Sequence, residues 1–337
     1  MVRVLFLCAL LAVGVHAQDA RHSGVVDSNE RDFVVDQVLA KLRASYIRED
    51  VARTIEADIR ARQKAGNYDH LTDAGQFIEA LTRDLQTTSG DKHLRVDFFA
   101  DPESGHPLPS RDCLFVNIAS LTGNVGYIKL DAFLPPGLCG ETVAAAMTLV
   151  AGRDALILDL RDNTGGDPLM VAFMSSYFFA APVHLEDVYE RRTNVTVESW
   201  TLPFVPGPKF VGRPVFVLTS PRTFSGAEEF AYNLQMLKRA VVVGETSGGG
   251  AHPASAERIG AYFQVSVPVA RYINPASRTN WEGKGVEPDI RAREALAVQT
   301  AYRAALKDVI ERLTSPKERD AAQRQIDALT KVIDAAS

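Results

Sequence analysis

Pro214-Val-Phe-Val-Leu-Thr-Ser-Pro-Arg-Thr-Phe-Ser-Gly-Ala-Glu-Glu-Phe-Ala231 runs from an apolar, β-rich segment straight into a helix, and the chain on either side repeats that alternation. Val215 to Thr219 reads as a strand, and Ala227 to Ala240 alternates apolar and polar residues with helical period. Upstream, Ala155-Leu-Ile-Leu-Asp-Leu160 is a nearly continuous apolar run of the kind buried on both faces of a sheet, and a helix follows from Pro168 to Phe179. Downstream, Ala240-Val-Val-Val-Gly244 supplies the next strand. Strand, helix, strand, helix predicts an α/β domain with a parallel-rich sheet and right-handed crossovers. An apparent hairpin, Leu114 to Ile118 and Val125 to Leu130, turned at Gly123-Asn124, leads into it, with a helix from Glu141 to Val150. Residues 258–274 read as another hairpin or a long strand.

Both flanks are helical in pattern. From Asn29 to about Thr88, apolar residues such as Phe33, Val34, Val38, Leu39 and Leu42 recur at three- and four-residue steps, which predicts about three helices. Thr72 or Asp73 caps the last, and Ser89-Gly90 ends it. Glu294 to Ala336 reads as two amphipathic helices split at Ser315-Pro316. Met1 to Gly14 has a charged start and an apolar run, then Val15-His16-Ala17, the pattern of a cleavable signal peptide. The apolar run of about 11 residues is short of the ~20 needed to span a bilayer. The expected organisation is a signal peptide at 1–17, a helical domain at 18–90, an α/β core at 91–293 and a helical segment at 294–337.

With 337 residues, 46% of them hydrophobic, the chain can bury a large core. A formal net charge of −5 and the absence of dense Lys/Arg runs argue against nucleic acid as a partner. The expected mature protein is exported, periplasmic or extracellular, with no membrane span. After cleavage Cys113 and Cys139 remain, either as a disulfide or as a buried free pair. They lack the Cys/His spacing of a zinc site, and neither metal nor cofactor is expected.

Four short segments carry chemistry, and loops leaving strand ends are where an α/β sheet brings such segments together. Ser225 stands where a strand meets a helix, and free N–H groups at a helix start stabilise negative charge. The same Ser225-x-x-Glu228 is also a capping box, in which the serine only ties the helix end. Asp159-Leu-Arg-Asp-Asn-Thr-Gly-Gly-Asp-Pro168 is a glycine-rich turn whose N–H groups can face a ligand, the requirement of an oxyanion hole, and it is equally an ordinary strand-to-helix turn. His93 ends the polar turn Thr88-Ser-Gly-Asp-Lys-His93, and histidine is the usual base for a serine hydroxyl. Glu282, in Asn280-Trp-Glu-Gly-Lys-Gly-Val-Glu-Pro-Asp-Ile290, can orient a histidine, or can be a plain loop carboxylate.

Together these segments resemble the tail-specific, or C-terminal processing, family of serine peptidases and their tricorn-like relatives. The resemblance lies in Leu158-Asp-Leu-Arg-Asp-Asn-Thr-Gly-Gly166, Val217 to Glu229, Val243-Gly-Glu-Thr-Ser-Gly-Gly-Gly250 and Gly283-Lys-Gly-Val-Glu-Pro-Asp-Ile290, in family order across residues 90–292. Thr-Phe-Ser-x-Ala-Glu-Glu and Gly-Gly-Gly-Ala-His-Pro are most similar to modules of the interphotoreceptor retinoid-binding protein type. The fold implied is a crotonase/Clp protease-like core. The resemblance implies Ser225 as nucleophile and backbone N–H donors at Gly226 and at Gly165 or Gly166. The lysine of the family's serine–lysine branch is replaced by Gly249, and Lys238 and Lys284 lie outside the motif. The tricorn-like branch implies instead His93 as base and Glu282 as its orienter. His252, in Gly250-Ala-His-Pro253, lies near the missing lysine's place and is a second candidate base. Lys92 stands beside His93 where that branch has a serine. Only about 30 residues separate Leu94 from Val125, too few for the PDZ domain of many members.

The expected function is therefore that of a secreted or periplasmic serine hydrolase, a peptidase acting on peptides or proteins. The alternative is a noncatalytic carrier of a retinoid- or fatty-acid-like ligand, with His93 and Glu282 pointing apart across an apolar cavity.

Overall fold

A computed structural model describes residues 22–101 and 113–336. The expected signal peptide, residues 1–17, lies outside the described residues. Three helices open the chain, α1 (Ser28–Ser45), α2 (Glu49–Lys64) and α3 (Ala74–Ser89). Asp73 caps α3 by accepting the Gln76 N–H at 2.9 Å, and Gly90 ends it in the left-handed region at φ +70°. Val34, Val38, Leu39 and Leu42 face the core as their spacing predicts, whereas Phe33 is 47% exposed.

The central sheet holds β2 (Phe115–Leu121), β3 (Val125–Leu130), β4 (Ala155–Asp159), β7 (Val215–Thr219), β8 (Val241–Gly244) and β12 (Ile290–Arg291) in the order β12-β8-β7-β4-β3-β2. Every pairing is parallel except β2 with β3. The continuous apolar run of β4 is explained by its two buried faces. Leu156 and Leu158 pack with α4 (Pro136–Val150), α5 (Pro168–Ser175) and α6 (Gly226–Met236), while Ala155 and Ile157 pack with α7 (Glu294–Ile310) and α8 (Pro316–Ala335). Ser315 caps α8, so the break expected at Ser315-Pro316 is where the second terminal helix begins. Cys113 and Cys139 form a disulfide that ties the entry to β2 to the first turn of α4. Closing a loop with a separation of 26 residues contributes about 3 kcal/mol in the chain-entropy account.

Two antiparallel sheets flank the core. In one, β1 (Arg95–Phe98), β10 (Phe263–Pro268) and β9 (Ala254–Ile259) pair in the order β1-β10-β9. This sheet shares its core with α1, α2 and α3 through Val96, Ile259, Phe263, Val265 and Val267. The helical segment at 18–90 is thus completed by strands that all lie beyond the expected boundary at residue 90. The other sheet, β11-β5-β6, joins β11 (Ala270–Ile273) to the hairpin of β5 (His184–Glu190) and β6 (Val195–Trp200). That hairpin has no apolar alternation for sequence reading to find, since β6 is mostly exposed and β5 carries Glu186 inward.

Glu186 meets Glu229 of α6 in the interior, where Asn233 donates to the Glu186 carboxylate. Both oxygens of Glu229 and Oε1 of Glu186 have no hydrogen-bond partner among the described residues. Burial pushes Glu186 up to about 7 and, with the neighbouring Glu186 charge, pushes Glu229 well above the usual carboxylate range. A carboxyl held protonated in the fold adds stability below its unfolded pKa and loses it as pH rises through the folded value. Melting of the wild type is therefore expected to fall from pH 5 to pH 8 more steeply than that of Glu229→Gln. Parallel melting curves against pH would show that Glu229 is not held protonated in the fold.

Candidate active site

The turn between β7 and α6 is built from side-chain to backbone bonds. Thr223 Oγ1 donates to Leu160 O at 2.7 Å and accepts from Ser220 N at 3.0 Å, and Phe224 N donates to Asn163 O at 3.0 Å. These bonds deliver Ser225 at φ +53° and ψ −122°, a region that non-glycine residues adopt only where surrounding structure imposes it. Such strain costs on the order of 1–3 kcal/mol and gathers at functional positions.

Glu228 is what imposes it. Its buried carboxylate accepts from Ser225 N at 2.9 Å, Ser247 Oγ at 2.5 Å, Gly249 N at 2.6 Å and Gly250 N at 2.8 Å. The capping box is real, and it coexists with a serine hydroxyl that lies 3.0 Å from His93 Nε2. A Cβ on Gly250 would fall 2.3 Å from Phe224 Cζ and 2.7 Å from His93 Cε1, so only glycine leaves room for the two rings.

The glycine-rich turn closes against this elbow. Gly165 and Gly166 take φ +102° and +141°, and a Cβ on Gly166 would stand 2.0 Å from Phe133 O. Gly165 N donates to Asn163 Oδ1 at 2.8 Å and is thereby spent. Gly166 N and Gly226 N have no acceptor among the described residues, and Gly166 N lies 3.2 Å from where a Gly226 Cβ would stand. Of the two glycines expected in this role, Gly166 is the one whose N–H remains available beside that of Gly226.

His93 sits at the end of the turn after α3, its ring packed on Phe224 with centroids 4.6 Å apart and planes tilted by 34°. Burial pushes its imidazole down to about 4, against the opposing pull of Asp91. The ring is therefore held neutral at neutral pH, and in the tautomer with hydrogen on Nδ1 its Nε2 can accept the serine proton. His93 Nδ1 has no hydrogen-bond partner among the described residues, and the nearest carboxylate is Asp91, with Oδ1 at 3.9 Å.

Glu282 does not reach His93 as expected. One of its oxygens accepts from Ala251 N at 2.6 Å and the other lies 3.5 Å from His252 Nδ1. His252 is likewise not at the serine; its Nδ1 is 3.1 Å from Asp91 Oδ2. Lys92 reaches the other way and donates to Gly248 O at 2.7 Å, strapping the histidine turn to the glycine loop rather than supporting the base. The residue that sequence reading missed is Asp91, with no exposed side-chain surface, which accepts from His93 N, His252 and the Tyr46 hydroxyl. The signal was in plain view, an acid two residues before the histidine in one tight turn.

A strained serine, a neutral histidine in hydrogen-bond contact and two uncommitted N–H groups on an α/β core are the parts of a serine hydrolase. The profile of peptidase family S41 matches residues 124–292, half of the chain, and the chain belongs to that family. Residues 29–118 match the N-terminal domain of this peptidase family in eukaryotic IRBP. The chain is 27% identical over 232 residues to carboxyl-terminal-processing peptidase 2, chloroplastic, of Arabidopsis thaliana, covering 65% of this chain and 42% of that protein. It is 31% identical over 155 residues to the carboxyl-terminal-processing protease of Synechocystis, covering 45% and 34%. The matches thus span less than half the length of these relatives.

In fold the chain is similar to a lipoprotein from Streptococcus agalactiae, with TM-score 0.58 and 14% identity, covering 82% of this chain and 96% of that one. It is also similar to the photosystem II D1 C-terminal processing protease, with TM-score 0.52 and 14% identity, covering 88% and 100%. The tricorn protease gives TM-score 0.52 and 14% identity, covering 88% and 36%. These likenesses bear out the expected Clp-type architecture.

Replacing Glu228 by Gln removes the charge that gathers four donors, each such bond contributing about 1 to 3 kcal/mol. Glu228→Gln is expected to lower the melting temperature and to slow reaction of Ser225 with a serine-directed probe at least ten-fold. A variant with wild-type reactivity would show that the clamp does not set the elbow.

Proposed function

We propose that the chain is an exported serine peptidase that opens peptide bonds through an acyl-enzyme on Ser225. The observation that carries this reading is the 3.0 Å contact between Ser225 Oγ and His93 Nε2. Ser225 Oγ attacks the scissile carbonyl carbon as His93 Nε2 takes its proton. The oxygen that becomes negative faces the N–H groups of Gly226 and Gly166. His93 returns the proton to the amine, which leaves as the C–N bond breaks. Water, deprotonated by the same nitrogen, then hydrolyses the ester and frees the serine.

A base whose pKa lies at about 4 stays neutral throughout the weakly acidic and neutral range. The rate should therefore hold from pH 8 down to pH 5 and fall only as His93 protonates. The carrier reading is less well supported, because the polar side chains of Asp91 and His252, not an apolar cavity, lie between His93 and Glu282. The Cys113–Cys139 disulfide supports an oxidising compartment, in keeping with the signal-peptide pattern at residues 1–17.

Labelling with a fluorophosphonate tests the nucleophile. The wild type is expected to label, Ser225→Ala not at all, and His93→Ala about 100-fold more slowly or worse, the usual worth of a general base. Rapid labelling that survives Ser225→Ala would sink the assignment, and a wild type that does not label would favour the carrier. Export is checked separately by sequencing the N-terminus of secreted protein, which is expected to begin at Gln18.

A further inference from the structure

The buried cluster behind His93 is larger than a serine hydrolase needs. Asp91 Oδ2 contacts two groups at 3.1 Å, the Tyr46 hydroxyl and His252 Nδ1. Asp91 Oδ1 accepts from His93 N at 3.0 Å and stands 3.9 Å from His93 Nδ1. Behind His252, Glu282 Oε1 lies 3.5 Å away, and Glu282 is itself fixed by Ala251 N. These groups come from the C-terminal cap of α1, the turn after α3, the glycine loop before β9 and the loop before β12, four segments that meet only in the folded chain.

We propose that Asp91, rather than Glu282, orients His93 and balances the imidazolium formed during catalysis, and that Tyr46, His252 and Glu282 are positioning residues that hold Asp91. The inference deepens the peptidase reading and rests on it. Its geometric basis is the unpartnered, buried His93 Nδ1, for which Asp91 is the nearest carboxylate. With Nε2 committed to the serine, the neutral ring carries its hydrogen on Nδ1, where only a small approach of Asp91 completes the hydrogen bond. Catalytic hydrogen bonds are often long in the empty enzyme and tighten when substrate binds. Asp91 is ionised and able to accept: burial opposes its charge, yet the bonds from His252 and the His93 N–H hold it below the usual carboxylate range. An ionised Asp91 fixes His252 as the donor at Nδ1. Glu282 meets the opposite conditions, since burial pushes it up to about 7, and its carboxylate contacts His252 rather than His93.

The charged groups that act on His93 are Asp91, which raises its pKa, and His252 and Arg95, which lower it. Asp91→Asn and His252→Gln should thus move the His93 titration in opposite directions, the first downward and the second upward.

The test measures fluorophosphonate labelling rates, melting temperatures and the NMR titration of the His93 Cε1 proton in the full chain. Asp91→Asn is expected to slow labelling by about 100-fold to 10,000-fold, as loss of a triad acid does. His252→Gln should slow it about ten-fold, and Glu282→Gln less than Asp91→Asn, since glutamine still accepts from Ala251 N. A larger loss in Glu282→Gln than in Asp91→Asn overturns the proposal. If Asp91→Asn does not fold, His252→Gln decides: slower labelling with an upward titration shift supports the relay, and an unchanged rate and titration overturn it. Wild-type labelling by folded Asp91→Asn, with Ser225→Ala and His93→Ala inactive, overturns the relay alone. Labelling indifferent to Ser225 overturns the peptidase reading with it.

Discussion

One buried carboxylate sets the geometry on which the site depends. Glu228 gathers the Ser225 N–H, the Ser247 hydroxyl and the N–H groups of Gly249 and Gly250 around itself. Burial pushes its carboxyl above the usual range even though four hydrogen bonds favour the ionised form. The balance is stable because the donors are provided by backbone and side chain already held in place by β7, α6 and the glycine loop. In consequence the start of α6 cannot relax, and Ser225 remains in a backbone region it would not choose.

The second constraint is dielectric. His93 is buried, so it is neutral, so it can accept a proton at neutral pH. The cation that forms when it does so is costly in the same surroundings unless a charge lies close by. Asp91 is the charge in reach, and its own ionisation depends on donors from His252 and the backbone. Burial thus keeps His93 neutral, whereas Asp91 stays charged against the same burial because His252 and the His93 N–H donate to it.

The central sheet was legible because burial on both faces leaves an unmistakable apolar run, as in β4 and β7, and because Asp73, Gly90 and Ser315-Pro316 mark helix ends by local chemistry. The hairpin of β5 and β6 was not, since its outer strand is exposed and its inner one buries Glu186 against Glu229, a pairing that only the folded chain creates. In the site, Ser225, His93, Gly226 and the pair Gly165 and Gly166 follow from local turns and a family resemblance, and the choice between the two glycines needs the Gly165 N–H bond to Asn163. Asp91 and His252 are 161 residues apart and meet through the packing of the glycine loop on the histidine turn, which no spacing in the sequence records. Glu282 lies against His252 rather than His93; resemblance conveys which residues gather and not which atoms touch.

A serine peptidase of this kind passes through a covalent intermediate on one atom, Ser225 Oγ. The most direct measurement is the intact mass of the chain acid-quenched during turnover of an activated peptide ester, followed by peptide mapping of the adduct. The account predicts an acyl mass increment on the peptide containing Ser225, absent in Ser225→Ala. Turnover that persists in Ser225→Ala, or an adduct mapped to another residue, would contradict it.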